Sequence, residues 1–294
     1  MRIIFLGSIV FSKFILKHLI KTKYSIVGVI GKKSPGMNND FFDITSIAKS
    51  KKIPSIKTDD INDKRFSKWI KSKKPDIIIC IGWSKILSPR VLKIPKYCVI
   101  GYHPSDLPSN RGKHPIIWSL VLGLKKIGST FFIMDKLIDN GKIISKKIIE
   151  IKKNHNATMI YKRLQLIACK QLLNLLKQFS KNKKFKIIKK KLVKSNYWRK
   201  REFKDGVIDW RMNSETIQNL VKALSKPYPG AVFNYKGRFI RVDETKIKEV
   251  KNRNIEAGKI ISITNKKPLI QTGSGAILLK KYHPKINFKK KEYL

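Results

Sequence analysis

The chain predicts an α/β fold: a mostly parallel sheet covered on both faces, followed by a smaller β-rich, barrel-like unit. Three observations carry that expectation. Short runs rich in Ile and Val alternate with helical spacings through the first half. Those runs are almost continuously apolar, as strands buried on both faces must be. Beyond residue 205 the pattern changes to several short strands separated by Gly and Asn-Lys turns.

Taken in order, Arg2–Leu6, Ser25–Ile30, Asp76–Gly82 and Cys98–Tyr102 read as the parallel strands. Between the first two, Phe11, Phe14, Ile15 and Leu19 recur at helical spacing. Pro115 suits the first turn of a helix that continues from Ile116 to Leu122. Thr130–Met134 and Lys142–Ile151 read as strands flanking a loop that holds Asp139. Ala157 to Phe179 forms a long amphipathic helix, with Ile160, Leu164, Leu172 and Leu176 on its apolar side. The expected boundaries are a first domain at 1–180, a basic linker at 181–204, where lysine is dense, and a second domain at 205–294. In the last, Ser214–Ser225 reads as a helix. Ala231–Tyr235, Arg238–Val242, Gly258–Ile263, Leu269–Thr272 and Ala276–Lys280 read as strands.

Composition narrows the class. With 294 residues, 42% hydrophobic and 10% aromatic, the chain is globular and has ample core. No apolar stretch reaches the roughly 18 residues of a membrane span, so no membrane partner is expected. The start, MRIIFLGSIVFSKF, reads as a strand entering a helix rather than a signal peptide. Three unclustered cysteines, Cys80, Cys98 and Cys169, suggest reduced core thiols and a cytoplasmic location. No His/Cys cluster has zinc spacing, and no metal is expected. The net charge of +47 would draw any polyanion. Lysine is spread evenly, together with Ile and Asn, so the charge reads as compositional bias and a solvated coat.

Gly7 follows the first strand, yet Ile9 and Ser12 occupy the later glycine positions of a dinucleotide fingerprint. Gly31-Lys32-Lys33 likewise places no carboxylate after the second strand. Gly7 is therefore read as a tight turn.

The chemistry concentrates in Gly101–Pro115, GYHPSDLPSNRGKHP, directly behind a strand. Ligands of open α/β sheets bind beyond the carboxyl ends of strands. On the residues alone, His103 is either a structural histidine or a catalytic one, and Asp139 before Asn140-Gly141 is a turn former. Arg111 either braces the loop, meets phosphate or makes a surface salt bridge. His114 either contacts a substrate or caps the helix behind it. Trp83 either packs or stacks.

His-Pro-Ser at 103–105, Leu107-Pro108, Arg111-Gly112 and the downstream Asp139-x-Gly-x-Ile resemble the signature of formyltransferases that use N10-formyltetrahydrofolate. DGVIDW (Asp205–Trp210) and VKALSKPYPGA (Val221–Ala231) resemble the carboxy-terminal domain shared by methionyl-tRNA formyltransferases and several sugar-nucleotide formyltransferases. The resemblance covers nearly the whole chain and implies a Rossmann-like catalytic domain. It also implies a catalytic Asn-His-Asp trio, whose histidine and aspartate map to His103 and Asp139. Where the asparagine should stand, this chain has Gly101. One oxyanion donor of that kind is worth about 3 kcal/mol, and Asn110, Ser105 or a main-chain N–H are the candidate substitutes.

The implied chemistry is attack of a neutral primary amine on the formyl carbon of the co-substrate, with His103 as general base or oxyanion donor and Asp139 orienting it. Folate is expected against main chain near Trp83, Ile86 and Leu87 and at Asp135 and Asp139. Arg111, His114 and Trp198 are the residues expected to meet the acceptor. The acceptor implied is an amino-sugar nucleotide, because the segment GKKSPGMNNDFFDITSIAKSKKIP reads as a short loop and NRGKHPIIW is closer to enzymes acting on such sugars. Methionyl-tRNA is the alternative, and a catalytically silent folate binder the second, prompted by Gly101. The resemblance also implies a homodimer.

Overall fold

The computed structural model describes residues 1–35, 40–189, 195–250 and 254–294. Its first strands and helices are β1 (Arg2–Leu6), α1 (Val10–Leu19), β2 (Ser25–Gly31), α2 (Thr45–Ser50), β3 (Ser55–Lys57), α3 (Lys64–Ser72), β4 (Ile77–Cys80), α4 (Pro89–Leu92) and β5 (Cys98–His103). The two-residue β6 (Arg111–Gly112), α5 (Pro115–Val121), β7 (Lys126–Ile133), β8 (Lys142–Glu150), α6 (Ala157–Asn182) and the two-residue β9 (Tyr197–Trp198) follow. The remainder comprises α7 (Ser214–Ala223), β10 (Ala231–Tyr235), β11 (Arg238–Lys248), β12 (Ile260–Thr264), β13 (Lys267–Gln271) and β14 (Ala276–His283). The chain divides into two compact units. The first comprises Met1–Gly112, Ile127–Glu150 and Tyr161–Trp198, and the second Lys113–Lys126, Ile151–Ile160 and Arg199–Leu294.

The first unit is built on a seven-stranded sheet in the order β3-β2-β1-β4-β5-β7-β8. Pairings from β3 through β5 are parallel, and β7 runs antiparallel to β5. The pleat explains why β1 is apolar throughout. Ile4 and Leu6 enter a cluster with Ile30, Ile70, Ile78 and Val91 on one face, so Ile3 and Phe5, equally buried, point to the other. Phe11 of α1 stacks on Tyr102 and meets Tyr161 of α6 edge-on. Strand order reverses between β1 and β4, and a crevice at such a reversal is where ligands of this architecture sit.

One expectation is corrected. The segment after β2 is not a plain loop: it carries α2 and the edge strand β3. Asp43 starts α2 by accepting the Thr45 N–H at 3.0 Å, and Ala48 anchors it in the core. Few apolar residues mark these elements, so periodicity did not reveal them. Residues 36–39 of that segment, and 190–194 of the expected linker, lie outside the described residues.

The second unit holds an antiparallel five-stranded sheet in the order β10-β11-β14-β13-β12. α7 packs on β11, β14 and α5. Asn213 caps α7 by accepting the Thr216 N–H at 2.7 Å. Phe233, Tyr235, Tyr282 and Phe288 form its aromatic core. Strand β11 runs six residues beyond the expected Val242, because its continuation DETKIK is charged and half exposed. Among the described residues, no helix is long and apolar enough to cross a membrane. Cys80, Cys98 and Cys169 are free thiols, and burial pushes those of Cys80 and Cys98 up to about 12.

Gly7 makes the close approach expected of a tight turn. Its N–H donates to Ile30 O at 3.1 Å, and a Cβ there would lie 2.4 Å from Ile81 O. Gly7→Ala is expected to destabilise the protein by about 1–3 kcal/mol, measured as a lower urea midpoint at unchanged slope.

Candidate active site

Strand β5 ends at His103, which is 7% exposed. Its antiparallel register with β7 sets Gly101 opposite Phe132 and His103 opposite Thr130. Pro104 then breaks the ladder, and the loop folds back on itself. The Thr130 hydroxyl donates to Ser105 O at 2.6 Å, and Lys146 Nζ donates to Leu107 O at 2.8 Å. Gly128 permits the approach, since a Cβ there would lie 2.3 Å from Ser105 O. The return ends at Asn110, in the left-handed region at φ 59°, a conformation that Asn tolerates better than most residues. Its carbonyl lies 3.2 Å from His103 Nε2.

Asp139 arrives from the loop after β7. That loop opens with an Asx turn, Asp135 accepting the Leu137 N–H at 2.9 Å. Asp139 is itself left-handed at φ 50°, a strained state for a non-glycine residue. Its Oδ1 faces His103 Nδ1 at 3.7 Å, an ion-pair distance rather than a hydrogen bond. Its Oδ2 accepts the Gly112 N–H at 3.1 Å. Arg111 Nη2 donates to Asn140 Oδ1 at 2.7 Å, fixing the neighbouring residue.

This geometry assigns the imidazole nitrogens. A carbonyl can only accept, so the contact with Asn110 O is a hydrogen bond when Nε2 carries the proton. Nδ1 is then the basic nitrogen. A proton taken there sits beside a carboxylate already held by a main-chain N–H, and the resulting imidazolium–carboxylate pair is mutually stabilised.

The other expected residues separate. Gly101 leaves no hole: a Cβ there would meet Met134 Cγ and Phe132 Cζ, each at 2.8 Å. Ser105 is unsuited to an oxyanion, since it is 1% exposed and its one proton goes to Ser109 O at 3.3 Å. The Asn110 main chain lies in the site. Among the described residues Arg111 makes no salt bridge; it donates to the Asn140 amide, which favours the brace. Trp198 is 8% exposed and pairs through its main chain with Gly112, which makes it an anchor rather than an exposed contact. Tyr197 beside it is 55% exposed. Sequence reasoning named Asn196 only within the cluster Asn196–Arg199, as an acceptor contact or a linker anchor, and Asn140 only as a turn former; it missed the Gly112 N–H, which the motif Arg-Gly alone signalled.

The segments expected to hold folate lie at the strand ends. Gly82 to Leu87 is irregular chain behind β4, with Leu87 buried and Ile86 57% exposed. Trp83 packs against the core cluster of that face. Its indole Nε1 is buried and has no partner among the described residues. An orphaned donor beside open main chain fits a flat, hydrogen-bonding heterocycle.

His114 belongs to the second unit and occupies the position before α5, left-handed at φ 55°, with no side-chain capping bond. It caps the helix through its carbonyl, which accepts the Trp118 N–H at 3.0 Å, and not through its ring. Burial, reinforced by the positive charges of Arg201, Lys113 and Lys200, lowers its pKa from the ordinary value. Arg201 itself lies over the Trp118 ring, 4.8 Å from the centroid.

A doubly wound sheet with an imidazole and a carboxylate converging beyond its strand ends defines an α/β protein equipped for proton transfer. Residues 1–176 match the formyl transferase family and 201–292 match the formyl transferase C-terminal domain; the chain belongs to the formyl transferase family. A methionyl-tRNA formyltransferase of Clostridium tetani is 30% identical over 286 residues, covering 96% of this chain and 91% of the relative. The bifunctional polymyxin resistance protein ArnA of Wigglesworthia glossinidia brevipalpis is 36% identical over 223 residues; these are 75% of this chain but 34% of that longer protein. An N-formyltransferase of Helicobacter canadensis, solved with folinic acid and dTDP-3-aminofucose, superposes with a TM-score of 0.70 at 16% identity, over 94% of this chain and 98% of that one. At that identity the likeness shows a shared fold.

Two outcomes are expected. Gly101→Asn should lower stability by about 1–3 kcal/mol, because Phe132 and Met134 must move; an unchanged denaturation midpoint would show that the space adapts. For His114, the unfolded chain takes up the proton first as pH falls. Stability is thus full above the ordinary histidine value of about 6.5 and is lost as pH falls through it towards the lowered folded value. His114→Gln should therefore lose less stability than the parent between about pH 7.5 and about pH 5, read from urea midpoints across that range.

Proposed function

We propose that the protein transfers a formyl group from N10-formyltetrahydrofolate to a primary amine, and that this amine belongs to a nucleotide-linked amino sugar. The observation carrying the reading is the His103–Asp139 pair, 3.7 Å apart, in a chain of the formyl transferase family. When bound, the folate supplies an activated one-carbon unit; Trp83, Ile86, Leu87, Asp135 and Asp139 are the residues assigned to hold it. His103 takes the proton of the attacking amine at Nδ1 while Nε2–H stays on the Asn110 carbonyl, and returns it to N10 as the bond from N10 to the formyl carbon breaks, so that the products are the formamide and tetrahydrofolate. Asp139 balances the charge that forms on the ring. Arg111 keeps Asn140, and through it the Asp139 turn, in place.

The sugar-nucleotide acceptor is supported by the layout of β6 and β9. Arg111 lies opposite Tyr197 in register. Tyr197, 55% exposed on this strand pair, offers a ring on which a nucleotide base can stack. The segment from β2 to β3 is also short in sequence, with β3 at the sheet edge from Ser55. Methionyl-tRNA is the second reading, favoured by the near-complete overlap with the Clostridium tetani enzyme and by the net charge of +47.

A formyl-transfer assay against amino-sugar nucleotides and methionyl-tRNA separates these acceptors. Product with methionyl-tRNA alone would replace the first reading by the second, and product with neither would leave a folate-binding homologue. His103→Ala and Asp139→Ala are each expected to lower kcat/KM by about 10²–10⁴-fold with an unchanged circular dichroism spectrum. Unchanged turnover in either variant would remove that residue from the reacting centre.

A further inference from the structure

Three consecutive residues tie the reacting pair together. The Asn110 carbonyl meets His103, Arg111 holds Asn140, and the Gly112 N–H holds Asp139. All three are gripped from behind by one short segment, Asn196–Trp198. Tyr197 and Trp198 pair with Arg111 and Gly112. The pairing is so close that a Cβ on Gly112, at φ 101°, would lie 2.3 Å from Trp198 O.

Asn196 extends this grip by one residue. Its main-chain carbonyl accepts the Arg111 N–H at 3.2 Å. Its side-chain Oδ1 accepts the Asn110 N–H at 2.8 Å. The left-handed turn at Asn110 takes that N–H out of line with a regular ladder, and the carboxamide supplies the acceptor instead. The peptide whose carbonyl meets His103 is thus held through its own N–H, that of Arg111, and through the N–H of the peptide before it.

We propose that Asn196 is a positioning residue for the His103–Asp139 pair, acting through the main chain of Asn110; this rests on the reading that the pair is the reacting centre. The full chain carrying Asn196→Leu, similar in size but without an acceptor, is compared with Asn196→Asp, which keeps the acceptor oxygen. Asn196→Leu is expected to lower kcat by roughly 10–100-fold, with KM for both substrates within about threefold. The ¹⁵N-detected titration of His103, assigned with His103→Gln, should shift in the same variant. Asn196→Asp should return both to near the parent.

A parent-like kcat and an unmoved His103 titration in Asn196→Leu would overturn the proposal. So would an Asn196→Asp variant as impaired as Asn196→Leu, since that pattern marks a merely structural contact. If Asn196→Leu does not fold, Asn196→Ala takes its place in the same comparison. Absence of formyl product from the parent would instead count against the functional reading, and the His103 titration would still decide the role of Asn196 without turnover.

Discussion

The site depends on one charge-assisted hydrogen bond, from the Gly112 N–H to the Asp139 carboxylate. His103 is placed by a sheet, which is stiff, but Asp139 hangs on a loop whose own backbone is strained. A main-chain donor is a better anchor for it than a side chain, because it has no rotamers to lose. Such a bond contributes about 1.5–3 kcal/mol, comparable with the cost of holding Asp139 left-handed at φ 50°. The bond in turn requires Gly112 at φ 101°. That conformation, and the absence of a Cβ, is what lets Trp198 pack against it. Neither His103 nor Asp139 selects the geometry alone; the stretch from Asn110 to Gly112 does.

The same packing explains how the chain accommodates Gly101. In β5, the residue two places before the histidine faces the ring of Phe132 and the thioether of Met134. The volume of an asparagine side chain has been taken over by apolar atoms, so the substitution belongs to the core as much as to the site. A lost donor is worth about 3 kcal/mol, or about two orders of magnitude in rate. His103 is not placed to replace it, because Nε2 lies against the Asn110 carbonyl and Nδ1 faces Asp139. Nor is Ser105, since its hydroxyl is committed to Ser109 O.

Legibility in the sequence followed the size of the physical signal. Strands β1, β2, β4 and β5 read clearly, because burial on both faces forces an unbroken Ile and Val run. His103 and Asp139 were legible through their motifs. Helix α2 and strand β3 were not, since each buries too little to leave a pattern. The β6–β9 pairing was invisible for a different reason: two residues have no periodicity, and Asn196 sits in a stretch whose lysine content marks it as linker. Its role exists only through the fold, which brings it against a loop 86 positions earlier in the chain.

Charge gives the last constraint. With 66 Lys and Arg against 19 Asp and Glu, several carboxylates stand against a lysine or an arginine. Asp205 takes Arg199, Glu292 takes Lys236, Asp209 takes Arg211 and Asp43 takes Lys57. Asp139 is held differently. Among the described residues its ion-pair partner is His103, and its other oxygen is held by a neutral N–H. A lysine in that place would quench the carboxylate's field at the imidazole, since two unit charges at contact distance interact far more strongly inside a protein than in water. Arg111, one residue before the Gly112 donor, is turned onto Asn140 instead. That arrangement is the electrostatic counterpart of the main-chain grip, and it leaves the negative charge of Asp139 available to His103.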